Sequence, residues 1–239
     1  MSYTVVNNFK DCYSSIGFPI KEIIKRPSAV HFVLVAHDQC PLSKKLQLLP
    51  SFLPIIISSI QGNIILDETV SFLLETLHCN SKSTISSDIS IPLCTVIPSI
   101  ASAHPSPSLR HQAFRILSMI LSSSDPPLRL QILQDLCTNS EFPQMRVAAV
   151  GLVKEAIMEA FSVSETPNLF ASPRFLQVMG PTIFRPSPKD FFLAKPSLEE
   201  LRQSSEPPRL VECLSLLYIL LLRDKKNKVR VTLCEARCR

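Results

Sequence analysis

Proline placement constrains this chain more than any other feature. The twenty prolines fall mostly between apolar stretches, where each one ends a helix or opens the next. Stretches cut that short, with helical spacing inside them, predict a protein of many brief α-helices. Glycine points the same way by exclusion. Gly17, Gly62, Gly151 and Gly180 are too few to build the glycine-rich loops of nucleotide-binding folds, and neither G-x-G-x-x-G nor G-x-x-x-x-G-K-[ST] occurs.

The centre of the chain shows the pattern most clearly. Ile91 to Ala103 puts Leu93, Val96, Ile97 and Ile100 on one helical face, and His104-Pro-Ser-Pro-Ser108 follows as a turn. Ser108 is placed to cap a second helix, in which Leu109, Ala113, Ile116, Leu117 and Ile120 recur every three to four residues until Ser122 to Ser124 end it. Asp125-Pro126-Pro127 then gives a start signal, with a capping side chain followed by proline in the first turn. Leu128, Ile132, Leu133 and Leu136 make the next stripe, and Glu141 to Phe161 completes the pair through Val147, Val150, Val153, Ala156 and Ile157. The two pairs match each other. Arg110-x-x-Ala113 and Arg146-x-x-Ala149 each open a second helix after a proline-containing turn. Their spacing is close to the ~40-residue period of HEAT and armadillo repeats, in which a small Ala allows close helix contact and the Arg lies at the inter-helix turn.

Leu42 to Ile60 and Asp67 to Leu77 read as a third, degenerate pair joined by Gln61 to Leu66. Val30 to Ala36 fits a strand or a helix equally, and Met1 to Ser28 carries no clear signal. After Phe161 a proline-rich connector, residues 163–196, holds a short helix at Arg174 to Gly180. Ser197 and Glu200 fit a capping box. Pro207-Pro208 opens a last helix, Arg209 to Arg223, with Leu210, Cys213, Leu214, Leu217, Leu220 and Leu221 as its apolar stripe. The expected fold is therefore an all-α, HEAT/armadillo-like helical-repeat solenoid. Its parts are helical hairpins over 1–162, the connector over 163–196, a C-terminal helical segment over 197–228, and a disordered basic tail over 229–239.

Composition settles what kind of solvent such a chain faces. A hydrophobic share of 46% and a mean hydropathy of +0.21 exclude a disordered chain and raise the question of a membrane. Leu46 to Ile60 is interrupted by Pro50 and Pro54, while Leu210 to Leu222 carries Glu212 and is shorter than the ~20 apolar residues a span needs. No secretory signal is read in Met1 to Lys10, so the cytosol or nucleus is expected. The net charge of +5 is confined to the end of the chain. Arg223 to Arg239 holds seven Lys or Arg against Asp224 and Glu235, which leaves the preceding residues neutral as a set. A duplex-binding protein spreads its cations along a face that tracks phosphates, so specific nucleic-acid binding is not expected.

The residues that could carry catalysis or bind a metal form no recognisable pattern for either. Cys12, Cys40, Cys79, Cys94, Cys137, Cys213, Cys234 and Cys238 contain no C-x-x-C and read mainly as reduced, small core residues. Cys234 and Cys238, beside Arg237 and Arg239, are the best placed for a redox-sensing thiol. His31, His37, His78, His104 and His111 include no H-E-x-x-H, and His78-Cys79 lacks a second ligand pair. Glu199-Glu200 and Asp67-Glu68 sit at expected helix starts, where the helix dipole favours negative charge. The reading is of a chain that is not an enzyme and holds no cofactor.

The C-terminal third adds a resemblance. Pro188-Lys-Asp-Phe-Phe192, Leu198-Glu-Glu-Leu201 and Ser205-Glu-Pro-Pro-Arg-Leu-Val-Glu-Cys-Leu-Ser-Leu-Leu-Tyr-Ile-Leu-Leu-Leu-Arg-Asp-Lys-Lys-Asn227 resemble the fungal branch of the Yap-binding, aberrant-lateral-root-formation (ALF) and glomulin family. The resemblance implies an all-helical solenoid that acts by binding proteins. Known partners in that family are a Yap-type stress-responsive transcription factor, kinetochore subunits in fungi and, for glomulin, the RING subunit of cullin ubiquitin ligases. Arg209, Glu212, Arg223 and Lys225 are the candidate polar contacts for such a partner. Family chains are longer than this one, which suggests a shortened member. After Lys228, the sequence Val229 to Arg239 replaces the expected further helices and leaves the helix Arg209 to Arg223 without its next neighbour, exposing apolar surface as an expected pairing or aggregation site. The competing reading is a truncated structural fragment with no activity of its own.

Overall fold

The computed structural model describes residues 20–37, 42–79, 84–162 and 168–230. Among them are eleven α-helices, one short 3-10 helix and no strand. The chain divides into two compact units, Met1–Ser124 and Asp125–Arg239.

The first unit holds α1 (Ile20–Lys25), α2 (Ala29–His37), α3 (Leu42–Gly62), α4 (Leu66–Cys79), α5 (Ser87–Ala103) and α6 (Pro107–Ser122). The open reading of Val30 to Ala36 resolves as helix, and the two stretches read as a degenerate pair are both helical, α3 and α4. α3 packs on α4 and α5, α4 packs on α6, and α5 and α6 form the closest pair. The core of this unit is built on three fully buried rings, Phe32 from α2, Phe52 from α3 and Phe72 from α4, which meet edge to face at centroid distances of 5.3, 5.2 and 6.1 Å. In the same unit Lys45 is buried, and its ammonium reaches the half-exposed Glu75 carboxylate at 2.6 Å.

Capping side chains fix several of the helix starts. Ser86 accepts from the Asp88 amide at the start of α5, and Asp125 accepts from Leu128 at the start of the next unit. The expectation for Ser108 fails. Ser106 caps α6 instead, accepting from the Leu109 amide, because Pro107 occupies the first helical position, where its fixed φ is already helical and its missing N–H is not needed. Punctuation by proline is also incomplete. Pro50 and Pro54 lie inside α3, Pro92 and Pro98 inside α5 and Pro181 inside a later helix. Pro50 and Pro54 are on the exposed side of α3, while Phe52 and Ile56 anchor the opposite side in the core. Burial of that face outweighs the ~3 kcal/mol a proline costs a helix interior.

The second unit holds α7 (Pro126–Thr138), α8 (Pro143–Ser162), the 3-10 turn Leu169–Ala171, α9 (Pro173–Ile183), α10 (Leu198–Gln203) and α11 (Glu206–Arg223). The stretch expected to be a connector contributes to the core of this unit. Phe170, Phe175, Leu176, Met179 and Ile183 are all buried, and α9 packs on α7. Arg129 of α7 ties these parts together, its guanidinium bonded to Glu159 of α8 at 2.7 Å and lying 5.5 Å from the Phe170 ring centre. The capping box at Ser197 forms as expected, with the Glu200 carboxylate accepting from the Ser197 amide and the Ser197 hydroxyl accepting from Glu200. Ala113 and Ala149, the small residues of the two matched motifs, are fully buried, and the Arg110 guanidinium donates to the His104 and Pro105 carbonyls in the turn before α6.

Candidate functional site

α11 is where the sequence placed its candidate contacts, and its rotation decides which of them are available. The buried positions are Glu206, Arg209, Cys213, Leu216 and Leu220, a three-and-four spacing that faces α8. The expected stripe was therefore turned. Cys213 and Leu220 are inside and Leu210 and Leu217 half-buried, but Leu214 and Leu221 are exposed, while Leu216, absent from the expected stripe, is fully buried. The cause is polar. Arg209 donates through Nε and Nη2 to both oxygens of Glu206 at 2.7 and 2.6 Å, and through Nη2 to the Arg185 carbonyl at 2.6 Å. It also reaches the Thr182 and Ile183 carbonyls at 3.3 and 3.5 Å. Glu206 in turn accepts from the Ser187 amide at 2.9 Å. The pair thus fastens α11 to the end of α9, where a cation meets unpaired helix carbonyls. Hydrogen bonding to Glu206 holds the guanidinium pKa above its usual value.

The four candidate contacts separate accordingly. Arg209, at 6% exposure, is a core residue engaged inside the chain, so it offers nothing to a partner. Glu212 is half-buried and bonded to Lys154 of α8 at 3.2 Å; the same ammonium lies 3.4 Å from the Ser215 hydroxyl. Arg223 and Lys225 are exposed, as are Lys226, Lys228 and Arg230, and none of these cations forms an ion pair among the described residues. Asp224 does not neutralise them with a salt bridge: its two carboxylate oxygens accept from the Lys228 and Val229 amides, each at 2.7 Å. Those bonds fold the segment after α11 into a turn that buries Val229. Val229 was expected to begin a disordered tail; its burial and these hydrogen bonds place residues 229 and 230 within the unit, and residues 231–239 lie outside the described residues.

The helix does leave apolar surface uncovered, as its missing next neighbour leads one to expect, but on the side opposite α8, of which the expected stripe names only Leu214 and Leu221. Val211, Leu214, Tyr218, Leu221 and Leu222 are 53–65% exposed, and their spacing of three to four residues makes them one stripe. Nearly every position from Leu210 to Leu222 is apolar, so hydrophobic periodicity alone could not tell the packed side from the free one. A contiguous exposed apolar stripe on a folded unit marks a surface for another molecule.

The same unit also has a groove of about 610 Å³ lined by Pro126, Leu130 and Gln134 of α7, by Asn168 and Leu169, and by Arg174 and Val178 of α9. It is open and mostly apolar. Among the described residues no group of three or more His, Cys, Asp or Glu could hold a metal ion, and no helix is long and apolar enough to cross a membrane. Cys94, Cys137 and Cys213 are buried free thiols, and burial pushes Cys94 and Cys137 up to about 12, so these three fit the core reading. The side chains of the other five cysteines, including Cys234 and Cys238, lie outside the described residues.

An all-helical chain whose distinctive surface is an apolar helix face beside a cation cluster has the features of a binding module. The comparison with known families agrees in kind: a model for the YAP/Alf4/glomulin family matches residues 40–236, and the chain belongs to that family. The matched span includes α3 to α11 and the turn that follows. No curated protein and no solved structure matches the chain significantly.

Proposed function

We propose that this chain is a non-catalytic, protein-binding regulator or adaptor of the Yap-binding and glomulin type, its hairpins arranged as HEAT-like repeats and its place of action the cytoplasm or nucleus. The observation that carries the reading is the exposed stripe of α11 within a chain of this family. Two features support the repeat arrangement: the pairs α5/α6 and α7/α8, and the buried alanines at matching points of α6 and α8. Binding on such a scaffold needs no preformed polar pocket, because side chains of a partner buried along a helix face supply the affinity. The partner is a Yap-type transcription factor, a kinetochore subunit or the RING subunit of a cullin ligase, each of which has precedent in the family.

Affinity capture from a fungal lysate, with and without peroxide, tests the reading. Recovery of one of these partners in stoichiometric amount supports it and selects the branch. Recovery of chaperones alone by a chain that melts cooperatively would sink it and leave the fragment reading in its place.

A further inference from the structure

We infer that the exposed stripe of α11 docks an amphipathic helix of a partner protein that carries acidic residues in its first turn and lies antiparallel to α11. This deepens the binding reading above and rests on it. The apolar part of the argument is the stripe Val211, Leu214, Tyr218, Leu221, whose spacing is that of a helix surface offered to another helix. Charge then selects the occupant. At the C-terminal end of the stripe stand Arg223, Lys225, Lys226, Lys228 and Arg230, exposed and without ion pairs among the described residues. The Asp224 hydrogen bonds hold their backbone in a turn there, so the cluster has a defined place relative to the stripe.

A second copy does not satisfy this arrangement. Two α11 stripes laid parallel bring cations against cations. Laid antiparallel, they bring the cations of one copy to the start of the other, where Glu206 is buried and bonded to Arg209. A lipid surface fits less well too. A helix lying on an anionic membrane carries its Lys and Arg along the polar flank, whereas between Glu206 and Leu222 the only cation of α11 is the buried Arg209. A partner helix running antiparallel sets its N-terminus at the cation cluster. Acidic side chains there are favoured by that helix's own dipole and by the facing Lys and Arg together.

The test uses the full chain and a fluorescent synthetic helix with leucines at i, i+3, i+4 and i+7 and glutamates in its first turn. A control peptide has those glutamates replaced by lysine, and vesicles with about 30% phosphatidylserine form a third arm. The acidic peptide binds, the lysine peptide is about tenfold weaker or worse, and L214D/Y218D weakens the acidic peptide by about tenfold, the loss expected from removing central apolar anchors. Both substituted positions are exposed, and an unchanged melt confirms that the variant is folded. K225E/K226E/K228E, at surface positions, reverses the preference between the two peptides. Equal binding of both peptides, no binding of either, or binding that survives L214D/Y218D overturns the inference. So does vesicle binding without peptide binding, or a dimer in sedimentation that L214D/Y218D dissolves. A cellular partner captured equally well by wild type and L214D/Y218D overturns it while leaving the binding-module reading intact.

Discussion

Arg209 shows how one side chain can decide what a helix presents. Its fork of donors is satisfied by Glu206 and by carbonyls at the end of α9, and that engagement sets which side of α11 is inside. Replacing it with Ala leaves the buried Glu206 carboxylate without its cation, so R209A is expected to lose about 3–5 kcal/mol of unfolding free energy in a denaturant titration. R209K keeps the charge but cannot reproduce the bidentate geometry, and falls between the two. The buried thiols make a second prediction. Burial raises Cys94 from 9.0 to about 12, so the folded chain holds that proton where the unfolded chain releases it. Stability is unaffected by this group below pH 9.0 and falls as pH rises from there towards about 12; Cys137, raised by burial and then by neighbouring Cys213, acts in the same window. The same burial protects Cys94 and Cys137 from iodoacetamide at pH 8 until denaturant is added, and prompt labelling of the native chain would contradict their placement. Arg209 was legible as a residue of interest but with the wrong role, because a charged residue in an apolar run reads as surface unless its partner is seen. That partner, Glu206, lies only three residues away, and an i,i+3 acid–base pair was the available signal.

At the level of elements, most of the fold could be read from residue patterns. α5 to α8 were visible in their stripes, and the capping box of α10 in four residues, since local capping chemistry depends on nearby atoms alone. Where an element breaks a local rule, distant packing is the reason. α3 runs through Pro50 and Pro54 because Leu48, Leu49, Phe52 and Ile56 are buried on its inner side. α9, read from the sequence as a short helix within a connector, is part of the core because its amphipathic face closes over α7. The exposed prolines of α3 accordingly limit its stability: P54A, which restores a backbone donor on the solvent side, is expected to raise the melting temperature. Ala113 and Ala149 are fully buried, and A113L or A149L should each cost about 1–3 kcal/mol by overpacking the core at these points. If both leucines were accommodated without loss, the close helix approach on which the repeat reading rests would not exist.

For the molecule as a whole, two compact units mean two cores that can be probed separately. F52A removes one ring from the three-phenylalanine cluster and is expected to destabilise the first unit by about 3–5 kcal/mol. Fluorescently tagged peptide binding at α11, in the second unit, provides a readout of whether that loss stays local. The family was legible in the residues around α11, and the chemistry that follows from membership is surface chemistry, which sequence periodicity resolves poorly because an apolar contact face and an apolar core face look alike. The most direct test of the central claim is quantitative capture from lysate by the wild-type chain, with bound proteins identified and their stoichiometry measured. A protein partner recovered near one to one is the predicted result; a folded, cooperatively melting chain that retains nothing but chaperones would contradict it.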